Sequence, residues 1–173
     1  MIRQNSLLLV GAIALLTGCG YHTVGAPTHL PPDARTMAVP VFATQTEAYH
    51  TEVALTDAVI REFAARSRMR VSPGSSKNSD VVLQGTILKE VVAPLTYNTT
   101  TQQSSSFLIT LVVSVRMTDR DGKILYKNNN YVFRGQYQST TDLPTYLDES
   151  PAAVERMSRD FAQALVADVL EGL

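Results

Sequence analysis

The chain has 173 residues, 45% of them apolar and 18% charged, the content of one ordinary globular domain and not of a repeat array or a disordered tail. Its 15 Lys and Arg stand against 16 Asp and Glu, so the formal charge of −1 gives no electrostatic footprint for nucleic acid. The single cysteine, Cys19, rules out an internal disulfide and a four-cysteine zinc site.

Met1 to Ser6 is a short polar start with one positive charge at Arg3, and Leu7 to Leu16 is an uncharged apolar run. As a helix those ten residues reach about 15 Å, half of a ~30 Å hydrocarbon core, too short for a resident membrane span. A charged start, an apolar core and then small residues have the layout of a secretory signal peptide. Leu16-Thr17-Gly18-Cys19 resembles the bacterial lipobox, in which the chain is cut before a cysteine that carries acyl chains such as palmitate. The competing reading, a buried helix ending in an incidental turn, must treat the order of three regions as chance. Residues 1–18 are therefore expected to be a lipoprotein signal peptide, with Cys19 as the lipid attachment. Several acyl chains, at ~0.8 kcal/mol per buried methylene, hold a protein stably where one chain does so only marginally. Gly20, standing where an Asp would mark retention, resembles lipoproteins sorted to the outer membrane of a Gram-negative cell, on its periplasmic side.

Residues 19–35 contain Pro27, Pro31 and Pro32 with Gly25 and read as an extended leader; residues 36–173 form the domain. Met37 to Phe42 is a short apolar run interrupted by Pro40, which suits an edge or terminal strand. Thr51 to Arg66 places Val53, Leu55, Val59, Ile60 and Phe63 on one helical face, and pairs Asp57 with Arg61 and Glu62 with Arg66 on the other. Arg66, Arg68 and Arg70 then cluster at the helix C-terminus, where positive charge complements the dipole; an anion site is the alternative reading. Ser72 to Asp80 reads as a loop, and Val81 to Val92 as a long strand with Gly85 as a bulge or a point of close approach. Ala93 to Ser106, dense in Thr, Ser, Asn and Gln and free of charge, reads as a connection.

Phe107, Ile109, Leu111, Val113, Val115 and Met117 alternate with mixed residues and make the clearest strand, one of its faces wholly apolar. Asp119 to Lys123 is a tight reversal, and Ile124 to Tyr137 returns as the second arm of a hairpin. Ser150-Pro151 opens a final helix whose stripe is Val154, Met157, Phe161, Ala164, Leu165 and Val169. The order β-α-β-β-β-α, with two one-faced helices, predicts an α+β two-layer sandwich: a four-stranded, mainly antiparallel sheet with both helices on one face. The other face, with Thr86, Ser114, Arg116, Arg134 and Gln136, is left to water or a polar partner.

Catalytic signatures are absent. His22, His29 and His50 share no metal-ligand spacing with one another or with a carboxylate, so no metal is expected. Asp119-Arg120-Asp121-Gly122 begins like a calcium loop, but Lys123 occupies the fifth position and Asn130 stands where a bidentate glutamate is required, so a hairpin turn is the better reading. No nucleophile elbow, phosphate-cradling loop or dinucleotide fingerprint occurs, and no cofactor or enzymatic activity is expected.

Gly18-Cys19-Gly20-Tyr21-His22, the proline-rich leader, Val39-Pro40-Val41-Phe42 and Ser79-Asp80-Val81-Val82-Leu83-Gln84-Gly85-Thr86-Ile87, in that order, resemble the LptE family. The resemblance implies a non-enzymatic lipoprotein of lipopolysaccharide assembly, seated as a plug in the LptD β-barrel translocon and assisting insertion of lipopolysaccharide into the outer leaflet. It also implies that the loop from Pro94 to Ser106, with Tyr97 and Asn98 as candidate contacts, points along the barrel axis toward substrate. The family's basic residues at that connection and near the last helix have no match, because neither Ala93 to Ser106 nor Ser139 to Val154 holds Lys or Arg. Lys89, Arg116, Lys127 and Arg134 are the cations available for a partner or for lipopolysaccharide. A scaffold or activator lipoprotein of another envelope system, of TolB-like fold, is the rival; three long strands in succession favour LptE. A lipid-anchored hydrolase built on a carboxylate pair is the third reading.

Overall fold

Phe107, Ile109, Leu111, Val113, Val115 and Met117 are all buried, and six apolar side chains on one sheet face need a second layer to cover them. A computed structural model describes residues 29–46, 51–74, 78–98, 103–138 and 151–171. The covering layer is α1 (Thr51–Arg66) packed beside α2 (Pro151–Glu171). Beneath it lies one mixed sheet of β1 (Thr36–Val39), β2 (Ala43–Thr44), β3 (Arg70–Pro73), β4 (Val81–Asn98), β5 (Gln103–Asp119) and β6 (Ile124–Gln138). The strand order is β3-β1-β4-β5-β6, with β2 also on β4. The α+β sandwich with both helices on one face is thus the observed class.

The sheet has six strands where the sequence predicts four. The two additions are short: β2 is two residues long and β3 is four, lengths at which period-two patterning carries no signal. Both pair in parallel, as does β1 with β3 and β4. A strand that follows a crossover helix returns in the same direction as the first, and α1 is that crossover between β1 and β3. Arg70, Ser72 and Pro73, read as helix cap and loop, are therefore strand residues. The arginine cluster is split: Arg66 reaches Glu171 of α2 at 2.7 Å and Glu62 at 3.9 Å, while Arg70 registers with Thr36. Pro40 ends β1, and the chain rejoins β4 two residues beyond Val41 as β2.

The stretch from Ala93 to Ser106 is also mostly strand. β4 runs to Asn98 and β5 starts at Gln103, with pairs from Ala93↔Leu108 to Asn98↔Gln103. Thr and Tyr suit a ladder, and Pro94 sits where the register shifts, so composition typical of a loop extends the hairpin instead.

Leu55, Val59 and Phe63 of α1 are buried, but Val53 is 41% exposed, since two residues from Leu55 is about 200° round a helix. On α2, Met157, Phe161, Leu165 and Val169 are joined by buried Ala162, Val166 and Leu170, a stripe broad enough to meet both the sheet and α1. Tyr131 and Phe133 of β6 meet the Phe161 ring edge-on at 5.9 and 5.8 Å. Burial, then the neighbouring Asp168, holds the Tyr131 hydroxyl well above its ordinary pKa, so it remains a protonated donor between β6 and α2.

Two contacts fix the platform. Phe42, buried and with its amide held at 2.9 Å by Thr56 Oγ1, lays its ring on Gly85, where a Cβ would meet ring atoms at 2.4 to 2.6 Å. Gly85 is the close-approach point; the bulge itself lies at Leu88, between Ile87 and Lys89. At the base, Asp80 Oδ2 accepts from the amides of Arg35 and Thr36, both at 3.0 Å, and from Thr36 Oγ1 at 2.8 Å, while Arg120 reaches Oδ1 at 2.6 Å. In the adjoining turn, Asp119 Oδ1 accepts from the amides of Asp121 and Lys123 and Gly122 takes φ 82°, the hairpin reading of that segment.

Gly85→Ala is expected to cost about 1 to 3 kcal/mol by overpacking in urea unfolding, and markedly less in a Phe42→Leu background, because the nearest atoms a Cβ would meet all belong to that ring. The amide of Arg35, then the hydroxyl and amide of Thr36 and lastly Arg120, hold the Asp80 carboxyl below its ordinary 3.8. Its stabilisation is therefore complete at neutral pH and lost as pH falls below that value. Asp80→Asn is expected to lower the urea midpoint at neutral pH, and the gap from the unmodified protein to close below pH 3.8.

Candidate functional site

With both helices on one side, the outward residues of β4, β5 and β6 form an open face, and strand register sorts them into rows. The first row is Gln84, Arg116 and Lys127; farther along come Lys89, Val112 and Val132, then Val91, Thr110 and Arg134, then Ala93, Leu108 and Gln136. Lys89, Arg116, Lys127 and Arg134 all stand on this face and all are exposed. Arg116 and Lys127 are direct cross-strand neighbours. Lys89 and Arg134 lie in adjacent rows on opposite sides of β5, and the six residues from Arg116 to Thr110 set the two groups over about 20 Å.

Lys89 reaches this face through the bulge. By simple alternation it would follow Val81, Leu83 and Ile87 into the core; the extra residue at Leu88 turns it outward to register with Val112. A lysine in phase with three buried residues is itself the signal that register must shift, because burying an unpaired ammonium costs far more than a bulge.

No Asp or Glu occupies an outward position on the three long strands: Glu90 registers with Leu111 on the core side, and Asp119 with Val81. Asp80, at the base, is committed to Arg120 and backbone amides. Like charges directly opposite, as Arg116 and Lys127 are, destabilise a sheet slightly and are tolerated here by exposure to water. The helix layer has the opposite balance. α1 carries Glu52, Asp57 and Glu62 against Arg61 and Arg66, and α2 carries Glu155, Asp160, Asp168 and Glu171 against Arg156 and Arg159.

Tyr97 and Asn98 are the last residues of β4, registered with Ser104 and Gln103. They stand some 17 residues from the base, about 55 Å along the strand, and are not brought together with the four cations. Cys19 and the signal peptide lie outside the described residues, as do His22 and His50. His29 packs edge-on against Tyr126 at 5.6 Å. Among the described residues no group of three His, Cys, Asp or Glu gathers in metal-binding geometry, and no helix is long and apolar enough to cross a membrane. Sequence reasoning missed the Asp80 junction, whose partners Arg35 and Thr36 are more than forty residues away.

The LptE family model, described as lipopolysaccharide-assembly, matches residues 34–169, from just ahead of β1 into the last turn of α2. No curated protein sequence matches the chain. Among solved structures the chain is similar to uncharacterized lipoprotein B from Nitrosomonas europaea, with 13% identity, 87% of this chain and 90% of that one covered, and a TM-score of 0.50. Protein XCC0632 from Xanthomonas campestris gives 16%, 86%, 91% and 0.54, and the PelC dodecamer subunit from Paraburkholderia phytofirmans 12%, 84%, 93% and 0.51. At these identities the likeness is one of fold.

Lys89→Gln, Arg116→Gln, Lys127→Gln and Arg134→Gln are each expected to shift unfolding free energy by no more than about 0.5 kcal/mol, since each is exposed and outside the core. Urea titration of the four variants checks that these residues serve the surface and not the scaffold.

Proposed function

Because the chain belongs to the LptE family of lipopolysaccharide-assembly proteins, we propose that it is an outer-membrane lipoprotein that plugs and stabilises an LptD-type β-barrel and assists insertion of lipopolysaccharide into the outer leaflet. The observation that carries this is the family match across essentially the whole domain, open face included. A plug in a polar barrel lumen needs a folded body with a hydrogen-bonding outer surface, and the open face supplies Gln84, Thr86, Thr110, Ser114 and Gln136 among its cations. The domain begins at Arg35 and Thr36, held by Asp80 at the base of the sheet, and the ends of β4 and β5 at Asn98 and Gln103 lie at the opposite end. A reach of about 55 Å from base to tip exceeds the ~30 Å hydrocarbon thickness, enough for a tethered plug to extend through its barrel.

In this reading the protein is not an enzyme and takes no cofactor. The carboxylates nearest the sheet's base are engaged in holding backbone, Asp80 on Arg35 and Thr36 and Asp119 on its own turn. Lipopolysaccharide and the barrel are its partners, and the acylated Cys19 holds it at the periplasmic side of the outer membrane.

Affinity purification of the tagged, acylated protein from detergent-solubilised outer membranes is expected to recover a barrel protein of several hundred residues in stoichiometric amount by mass spectrometry. Recovery of cell-wall synthases or a secretion channel without such a barrel contradicts the reading. Cys19→Ala is expected to leave the protein with its signal sequence uncut and out of the outer-membrane fraction; unchanged outer-membrane fractionation contradicts the lipid anchor.

A further inference from the structure

Charge in this molecule is sorted by layer. The open face of β4, β5 and β6 carries Lys89, Arg116, Lys127 and Arg134 and no carboxylate, while the two helices together carry more acidic than basic side chains. Among the described residues, a chain whose net charge is −1 therefore presents its cations on one sheet face and an acidic excess on the helix layer behind it. From this we infer that the open face docks against a protein wall that presents carboxylates, with the four cations orienting the molecule about its long axis; the inference rests on the barrel-plug reading and names the side of the plug that meets the barrel.

Three features select that occupant. The cations are spread in two groups over about 20 Å of rigid strand instead of converging on a point, so they match charges distributed along a wall better than one phosphate held by a cluster of donors. Between them lie Thr86, Thr110 and Ser114, short neutral groups that hydrogen-bond a facing surface, together with Val112 and Val132, which exclude water at the centre. A second copy of this chain is a poor occupant, because face-to-face pairing sets four cations against four. Exposed charges of this kind act chiefly on orientation, encounter rate and salt dependence, and across a Debye length of about 8 Å at physiological salt each group acts on its immediate opposite.

The test uses the full-length, acylated chain, purified by affinity tag from detergent-solubilised outer membranes with washes of rising salt. Two double reversals, Arg116→Glu with Lys127→Glu and Lys89→Glu with Arg134→Glu, are compared with Arg116→Lys with Arg134→Lys, which keeps the charge, and with Glu155→Lys on the outer side of α2. Thermal melts first verify that each variant is folded. The expected result is that each double reversal lowers barrel recovery on the order of tenfold at low salt and flattens or inverts its dependence on salt, because salt then screens a repulsion, while the charge-keeping pair and the helix variant recover the barrel as the unmodified protein does. Full recovery with both reversals combined overturns the inference and leaves the plug reading standing. Absence of any barrel with the unmodified protein removes that reading and the inference with it. Full barrel recovery with lost binding to lipopolysaccharide-containing vesicles overturns the protein-wall assignment in favour of lipid phosphate.

Discussion

The structure depends on the alternation along β5. Six consecutive inward positions, Phe107 to Met117, are apolar and buried, and burial of each is worth about 1.5 to 3 kcal/mol before entropy is counted. A slip of one residue exposes all six, a loss of roughly 10 kcal/mol or more that equals or exceeds the ~5 to 15 kcal/mol net stability of a typical domain. Register is therefore fixed, and with it the side on which the helices must pack. The grouping of Lys89, Arg116, Lys127 and Arg134 on one surface follows from the outward positions complementary to that core.

That open surface is held rigid from three directions. α2 is fixed to β6 through Phe161 between Tyr131 and Phe133, and to α1 through Arg66 and Glu171 at the helix ends. The Phe42 ring on Gly85 seals the β4 edge where β1 gives way to β2. Asp80 gathers the end of the leader, the start of β4 and the β5–β6 turn onto one carboxylate. Side chains of long reach, Lys and Arg, thereby stand on a backbone whose spacing does not adjust, which suits recognition of a fixed opposite surface.

Much of this was legible in the sequence, and the failures have physical causes. Strong periodicity located α1, α2, β5 and β6, and the Asp119 to Lys123 turn was recognisable by its residue chemistry. Gly85 could be marked as special, but that Phe42 fills its missing Cβ is a tertiary fact. β2 and β3 are too short to carry a pattern, and their parallel pairing is imposed by the α1 crossover. Thr, Ser, Asn and Gln around Tyr97 point to a connection by polarity and to a strand by β propensity, and pairing with β5 decides for the strand. The four cations were identified one by one, whereas their common face required the bulge at Leu88, and Cys19 rests on the sequence motif alone.

The central claim, that the open sheet face is the working surface turned toward the barrel, is tested most directly by site-specific photo-crosslinking in intact cells. A photoreactive side chain at Ser114, in the middle of that face, is compared with one at Gln163, exposed on α2. The expected product is a high-mass adduct from Ser114 that contains a large outer-membrane barrel protein. Adducts with that barrel from Gln163 and none from Ser114 contradict it.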